Sequence, residues 1–215
     1  MNLPTLMLFV IAGGFAVGDW IAKARHDLRL EYVCKPATLA ALVVAACTID
    51  PAADAHTRRI WFVLALLASL KGDVLLMLDR PDRELFVPGL AAFLFAHLFY
   101  LAGFWSDGPT LAAFAVAAVV VLAAVSVVAV RVLGSLRAEP ALRGPVALYM
   151  LVISAMVATA LATGNWLAGA GAVLFATSDS MIAWNRFVRP FRAADIAIMV
   201  TYHVAQALLV LSLLT

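Results

Sequence analysis

Seven ionisable side chains fall inside stretches of sequence that are otherwise apolar: Asp19, Lys35, Lys71, Asp73, His97, Asp179 and His203. Tyr100, Tyr149, Asn165, Tyr202 and Gln206 add neutral polar groups to the same stretches. Acids and bases in such surroundings are costly unless paired, and they mark function by default. Asp73 and Asp179 follow small residues, Gly72 and Ser178, which leaves room for a ligand beside each carboxyl group. A carboxyl group in an apolar setting can keep its proton near neutral pH, and a second carboxylate can stabilise a cation or orient water. Two such groups suffice for proton-transfer chemistry.

The other polar residues are candidates to serve them. Lys35 precedes Pro36 near the start of an apolar run, placed either to snorkel to the interface or to meet an acid or a phosphate. Lys71 is two residues from Asp73 and points to another side of a helix, so it is a poor partner and better placed to snorkel. His97 and Tyr100, three apart, share a helix face, as do Tyr202 and Gln206, four apart. His203 points away from Tyr202. Asp19 is nearer a helix end. Gly13, Gly14, Gly18, Gly169 and Gly171 read as positions of close helix packing.

The elements that must carry these groups are membrane spans. The chain has 215 residues, 65% hydrophobic and 13% charged, with a mean hydropathy of +1.02. A soluble domain is nearer 25% charged. Eight apolar runs have the roughly 17–25 residues a crossing needs: 3–22, 31–49, 59–78, 85–105, 109–131, 144–162, 165–184 and 195–214. Pro51, Pro81, Gly108-Pro109, Pro140, Gly144-Pro145, Gly164 and Pro190 mark their ends. The expected fold is all-α, a polytopic bundle of about eight helices forming a single transmembrane domain over residues 1–215. The first run lacks a basic leader and a small-residue cleavage site, so it reads as a helix that stays. Cys34 and Cys47 lie thirteen residues apart on one run, too far for a disulfide between them.

Eleven of the fifteen Lys and Arg residues follow spans one, three, five and seven, and only Arg58 and Arg59 lie on the other side. Basic loops stay in the cytoplasm. Both termini are therefore expected on the non-cytoplasmic side. On that topology Asp73 and Asp179 lie about 7–8 Å inside the cytoplasmic ends of their helices at roughly 1.5 Å per residue. Lys35, Tyr149 and Asp19 lie at similar depths, Tyr202 slightly deeper, and His97 near the midplane. This slab predicts a polar cavity open toward the cytoplasmic side. Gly18-Asp19, Gly72-Asp73 and Ser178-Asp179 also recur at the spacing of one and two helical hairpins, as an internal repeat or an even hairpin length would give. The Ala-, Val- and Arg-rich usage suggests a bacterial inner membrane.

No phosphate-cradling loop, nucleophile elbow, zinc-protease helix or cysteine-pair metal motif occurs, and nothing points to a nucleic-acid partner. The sequence sets no oligomeric state. The order and spacing of Lys35-Pro36, Gly72-Asp73, Phe86, Gly89, Phe93, His97 and Tyr100 resemble the lysoplasmalogenase, or YhhN-like, family of membrane proteins. The second half agrees through Pro145, Leu148-Tyr149, Gly171-Ala172, Phe175, Ser178-Asp179, Tyr202 and Ala205-Gln206. The resemblance runs from about residue 10 to 210, with His203 a departure beside the tyrosine.

The resemblance implies hydrolysis of the vinyl ether bond of lysoplasmalogens, giving a fatty aldehyde and glycerophosphoethanolamine or glycerophosphocholine. It implies no metal and no organic cofactor. Its partners are the lysophospholipid, water and the membrane lipids. Asp73 and Asp179 would then be the catalytic carboxylates, one as acid and one opposing the cationic intermediate, as in glycoside hydrolysis. Lys35 would hold the phosphate, with Asp19, Tyr149, His97, Tyr100, Tyr202 and Gln206 lining the substrate site. Three other readings compete, one of them a structural or receptor-like bundle with no chemistry. A transporter of small solutes or lipid would use midplane polar groups as a pathway. A metal-dependent lipid hydrolase would use His97, His203 and an Asp.

Overall fold

Eight long helices follow one another with short connections in the computed structural model, which describes residues 2–53, 55–80 and 82–215. Met1, Asp54 and the expected turn residue Pro81 lie outside the described residues. The helices are α1 (Leu3–Arg25), α2 (Leu28–Thr48), α3 (His56–Met77), α4 (Phe86–Trp105), α5 (Leu111–Ser135), α6 (Pro140–Ala162), α7 (Trp166–Phe187) and α8 (Ala194–Leu211). All eight are long and apolar enough to cross a membrane, α8 with its 3₁₀ extension Ser212–Leu214. The chain is a multi-pass integral membrane protein, with no strand among the described residues.

Several helices are longer at the basic end than the apolar runs predict. Lys23 and Arg25 belong to the last turn of α1, Arg131 to α5, Arg143 to α6 and Arg186 to α7. The apolar run measures only the hydrocarbon layer, whereas a helix continues into the interface until its ends are capped. Caps are plain in the sequence once located. Asp27 accepts from the Arg29 and Leu30 amides to start α2, and Asn165 from Leu167 and Ala168 to start α7. Asp79 accepts from the Leu85 and Phe86 amides at 2.9 and 3.1 Å and so fixes the turn into α4. Gly164 takes a φ of +74° between α6 and α7, a backbone state in which a side chain is strained.

Neighbours in sequence pack as hairpins: α1 with α2, α3 with α4, α5 with α6, α7 with α8. The hairpins meet through α2–α3, α4–α6, α6–α7 and α1–α8, and α8 also reaches α2 and α3. Helix α5 stands outside this ring against α6 and α7, and Val121 and Val132 are its buried residues. Aromatic rings from α3, α4, α7 and α8 fill the middle of the bundle: Phe62, Phe93, Tyr100, Phe104, Phe175 and Tyr202 are all buried.

Two of the glycines read as packing positions hold close contacts. A Cβ at Gly18 would lie 2.7 Å from Cys34 Sγ, and one at Gly171 3.1 Å from the Ala205 carbonyl oxygen. Gly169 faces only the tip of Leu161, and Gly13 and Gly14 face open space, so for those two the packing expectation is corrected. Gly72 is the tightest toward the site, its Cβ position 2.7 Å from the Phe93 ring.

The end away from the basic loops is closed by a side chain that charge counting placed in a loop. Arg58 lies in the first turn of α3 with 4% exposure. Its guanidinium pairs with Asp107 at 2.6 Å and donates to the Ser212 and Thr215 carbonyls at 2.8 Å each. Asn165 donates to the same two carbonyls. Four chain segments are thereby tied at one point.

Candidate active site

The intramembrane polar residues resolve into separate groups, each built from different helices. In the first, Asp179 of α7 receives a short hydrogen bond at Oδ2 from the Tyr149 hydroxyl of α6. His97 Nε2 of α4 lies 3.0 Å from the same oxygen and 2.9 Å from the Tyr149 hydroxyl. Three helices thus fix one carboxyl group. Among the described residues Oδ1 of Asp179 has no hydrogen-bond partner.

In the second group, Asp73 of α3 pairs with Lys35 of α2 at 3.3 Å through Oδ1 and accepts from the Tyr202 hydroxyl of α8 at 2.7 Å through Oδ2. Lys35 and Asp73 are 6% and 1% exposed. The third links the two helix-face pairs read from spacing: the Tyr100 hydroxyl donates to Gln206 Oε1 at 2.5 Å. In the fourth, the Trp20 indole donates to His203 Nδ1 at 3.1 Å.

Asp19, fully buried in α1, has neither oxygen hydrogen-bonded among the described residues. Lys35 is the strongest opposite charge acting on it. Lys71 is exposed on the outer face of α3, as snorkelling requires.

The two carboxylates are therefore not brought into one hydrogen-bonded pair; aromatic rings join their groups. The Phe175 ring lies 4.7 Å from His97 and 5.3 Å from Tyr202, and Phe93 lies 5.8 Å from Tyr202. His97 and His203 belong to different groups, and among the described residues no three His, Cys, Asp or Glu side chains come together to hold a metal ion.

Of the candidate residues only Asp179 and Tyr149 reach an apolar cavity between the helices. It has a volume of about 460 Å³ and lies between α5, α6 and α7, floored by α4. Its wall is corrected from the polar slab expected: Val146, Met150, Ile153, Val157 and Leu161 present one face of α6, and Val121, Val125 and Val128 one face of α5. Phe93 lines it as well and places its ring between the cavity and Gly72, next to Asp73. Tyr149 and Leu161 are twelve residues apart, about 18 Å along the helix at roughly 1.5 Å per residue. The site is thus a long apolar slot with a hydrogen-bonded carboxyl group in its wall. Such a slot fits an alkyl chain, and the carboxyl group can exchange a proton with a group near the chain's polar end.

The YhhN family model matches residues 30–213. A human protein named lysoplasmalogenase TMEM86B is 39% identical over 150 residues, 70% of this chain and 62% of the relative. The lysoplasmalogenase of Mycobacterium tuberculosis is 32% identical over 219 aligned positions, 93% of this chain and 83% of the relative. Human lysoplasmalogenase TMEM86A is 33% identical over 172 residues, covering 74% and 67%. The chain spans about three fifths of the length of human TMEM86B. No solved structure matches the chain.

Proposed function

We propose that this chain, since it belongs to the YhhN family, is a lysoplasmalogenase that hydrolyses the vinyl ether bond of a lysoplasmalogen to a fatty aldehyde and a glycerophospho-base. The observation that carries the reading is Asp179, held by Tyr149 and His97 in the wall of an apolar slot long enough for a fatty chain. Relatives named lysoplasmalogenase in human and mycobacteria support it.

Vinyl ether cleavage begins with a proton delivered to carbon. In the proposed mechanism Asp179 carries that proton on Oδ1, toward the slot, while Oδ2 accepts from Tyr149 and from His97 protonated on Nε2. Transfer to the β-carbon leaves an oxocarbenium ion beside a carboxylate, and the two donors stabilise the new negative charge. The carboxylate then takes a proton from the water that adds to the cation. This restores the acid and forms a hemiacetal, which collapses to aldehyde and alcohol as its hydroxyl proton passes to the leaving oxygen. One carboxyl group thereby acts as acid and then as base.

Asp73, Lys35 and Tyr202 act from behind Phe93 as a fixed charge pair that sets the position of α8 and the electrostatic field at the site. Tyr100 and Gln206 tie α4 to α8 beside it. The basic end faces the cytoplasm, both termini face the other side, and the chain forms one domain in a bacterial inner membrane. At the opposite end the buried Arg58 is spent on Asp107 and the Ser212 carbonyl, which favours a one-sided site over a through pathway.

The test is aldehyde release from lysoplasmenylethanolamine by purified protein in detergent, with Asp179→Asn as the paired variant. Release by the wild type and its loss in a variant of unchanged size-exclusion profile is the expected result. A folded wild type that releases no aldehyde would falsify the activity.

A further inference from the structure

A second cavity, of about 700 Å³, opens at the basic end between the α3–α4 turn, the start of α6 and the end of α7. Its lining is of another kind: Arg80, Arg186, Asp79, Glu84 and Glu139 bring five charged side chains around it. Phe86 lines both cavities, so the two adjoin at this residue. The Arg186 guanidinium stacks over the Phe86 ring at 3.7 Å from its centre, which orients it at the junction.

The charges here are only partly engaged with each other. Asp79 spends Oδ1 on the α4 cap, and its Oδ2 is 3.9 Å from Arg186, at the outer limit of an ion pair. Arg186 therefore keeps most of its five donors for another acceptor. Arg80 donates to the Tyr32 hydroxyl and retains further donors. Glu84 and Glu139 form no ion pair among the described residues. By contrast Lys35, the phosphate ligand expected from the sequence, is committed to Asp73 and lines neither cavity.

The spacing matches a glycerophospholipid. Asp179 and Arg186 are seven residues apart on α7, two turns, so they share a face about 10 Å apart along the axis. Seven bonds separate the β-carbon that Asp179 protonates from phosphorus, about 8 Å in an extended chain at roughly 1.2 Å per bond. The reach of the arginine side chain covers the difference. Four more bonds, about 5 Å by the same measure, bring the ammonium group to the rim where the glutamates stand.

The geometry points to this second cavity as the seat of a zwitterionic glycerophospho headgroup, with Arg186 and Arg80 on the phosphate and Glu84 and Glu139 on the ammonium. The assignment rests on the lysoplasmalogenase reading for its substrate class, and it makes the two glutamates the selectors for a cationic headgroup.

The test uses a ligand that cannot turn over, a saturated 1-O-alkyl-glycerophosphoethanolamine, in equilibrium binding to detergent-solubilised protein. Arg186→Gln is expected to weaken binding about ten-fold, and Arg186→Lys to recover part of the loss through its point charge. The double variant Glu84→Gln, Glu139→Gln is expected to weaken this ligand several-fold while leaving the 1-O-alkyl-glycerophosphate, which lacks the amine, unweakened. Binding by Arg186→Gln equal to wild type overturns the assignment. So does a glutamate double variant that weakens both ligands alike. A wild type that shows this pattern but releases no aldehyde from the vinyl ether sinks the activity and leaves the headgroup site standing.

Discussion

Tyr149 and His97 converge on a single oxygen of Asp179, and the other oxygen has no hydrogen-bond partner among the described residues. A carboxyl group held this way has one side fixed by donors and one side free to meet a ligand. That division distinguishes it from Asp73, both of whose oxygens are committed to Lys35 and Tyr202.

Asp179→Asn should lower kcat for aldehyde release by about 10³-fold, within the usual range for a general acid. Tyr149→Phe keeps the ring and removes one donor, and should cost about 10- to 100-fold in kcat with KM little changed. Steady-state kinetics on both variants checks this. A Tyr149→Phe enzyme whose KM rises while kcat holds would show the hydroxyl to be a binding contact.

Lys35 and Asp73 should behave as a buried ion pair. Lys35→Met or Asp73→Asn alone leaves one partner stranded and should destabilise the protein by about 3–5 kcal/mol. The double variant should cost much less than the sum. Unfolding in detergent, followed by circular dichroism, supplies the cycle, and additive losses would mean that the two groups do not depend on one another.

Arg58→Gln should reduce stability by about 3–5 kcal/mol, since it strips a buried cation from Asp107 and two backbone carbonyls. The clamp is at the far end from Asp179, so KM of the folded fraction should match the wild type. Thermal melting paired with kinetics separates the two effects; a changed KM at full folding would reveal coupling between the ends.

Val157→Trp should shorten the slot. Val157 is 3% exposed and lies two turns beyond Tyr149 on the cavity face of α6. The kcat/KM for long-chain substrates should fall by about ten-fold or more, and short-chain substrates should be spared. The extra bulk carries an overpacking cost of about 1–3 kcal/mol, so a melting curve accompanies the assay. Equal loss across chain lengths would place the tail elsewhere.

The eight helices were legible because the bilayer imposes length and hydropathy on each span. The candidate residues were legible too, since an acid in an apolar run stands out. Their grouping was not. A span such as α5 is apolar on nearly every side, so periodicity does not say which face turns inward. Spacing put His97 with Tyr100 and Tyr202 with Gln206 on shared faces, yet only packing shows that Tyr100 meets Gln206 while His97 turns to Asp179. Arg58 was counted as a loop charge because its partners, Asp107 and the Ser212 and Thr215 carbonyls, are distant in sequence. The charged cavity at the basic end had no sequence signal beyond the basic loops themselves.

Helix α5 separates the slot from the surrounding lipid, and of its residues only Val121 and Val132 are buried. On the proposed reaction the two products then have different natural destinations. The aldehyde is oil-soluble and adjoins the bilayer across one thin wall, while the glycerophospho-base is water-soluble and adjoins the charged mouth. The site would act as a phase separator as well as a catalyst, with each product drained into its own solvent. Turnover in vesicles should therefore resist added glycerophosphoethanolamine and respond to aldehyde dissolved in the membrane, a contrast that product-inhibition curves would display.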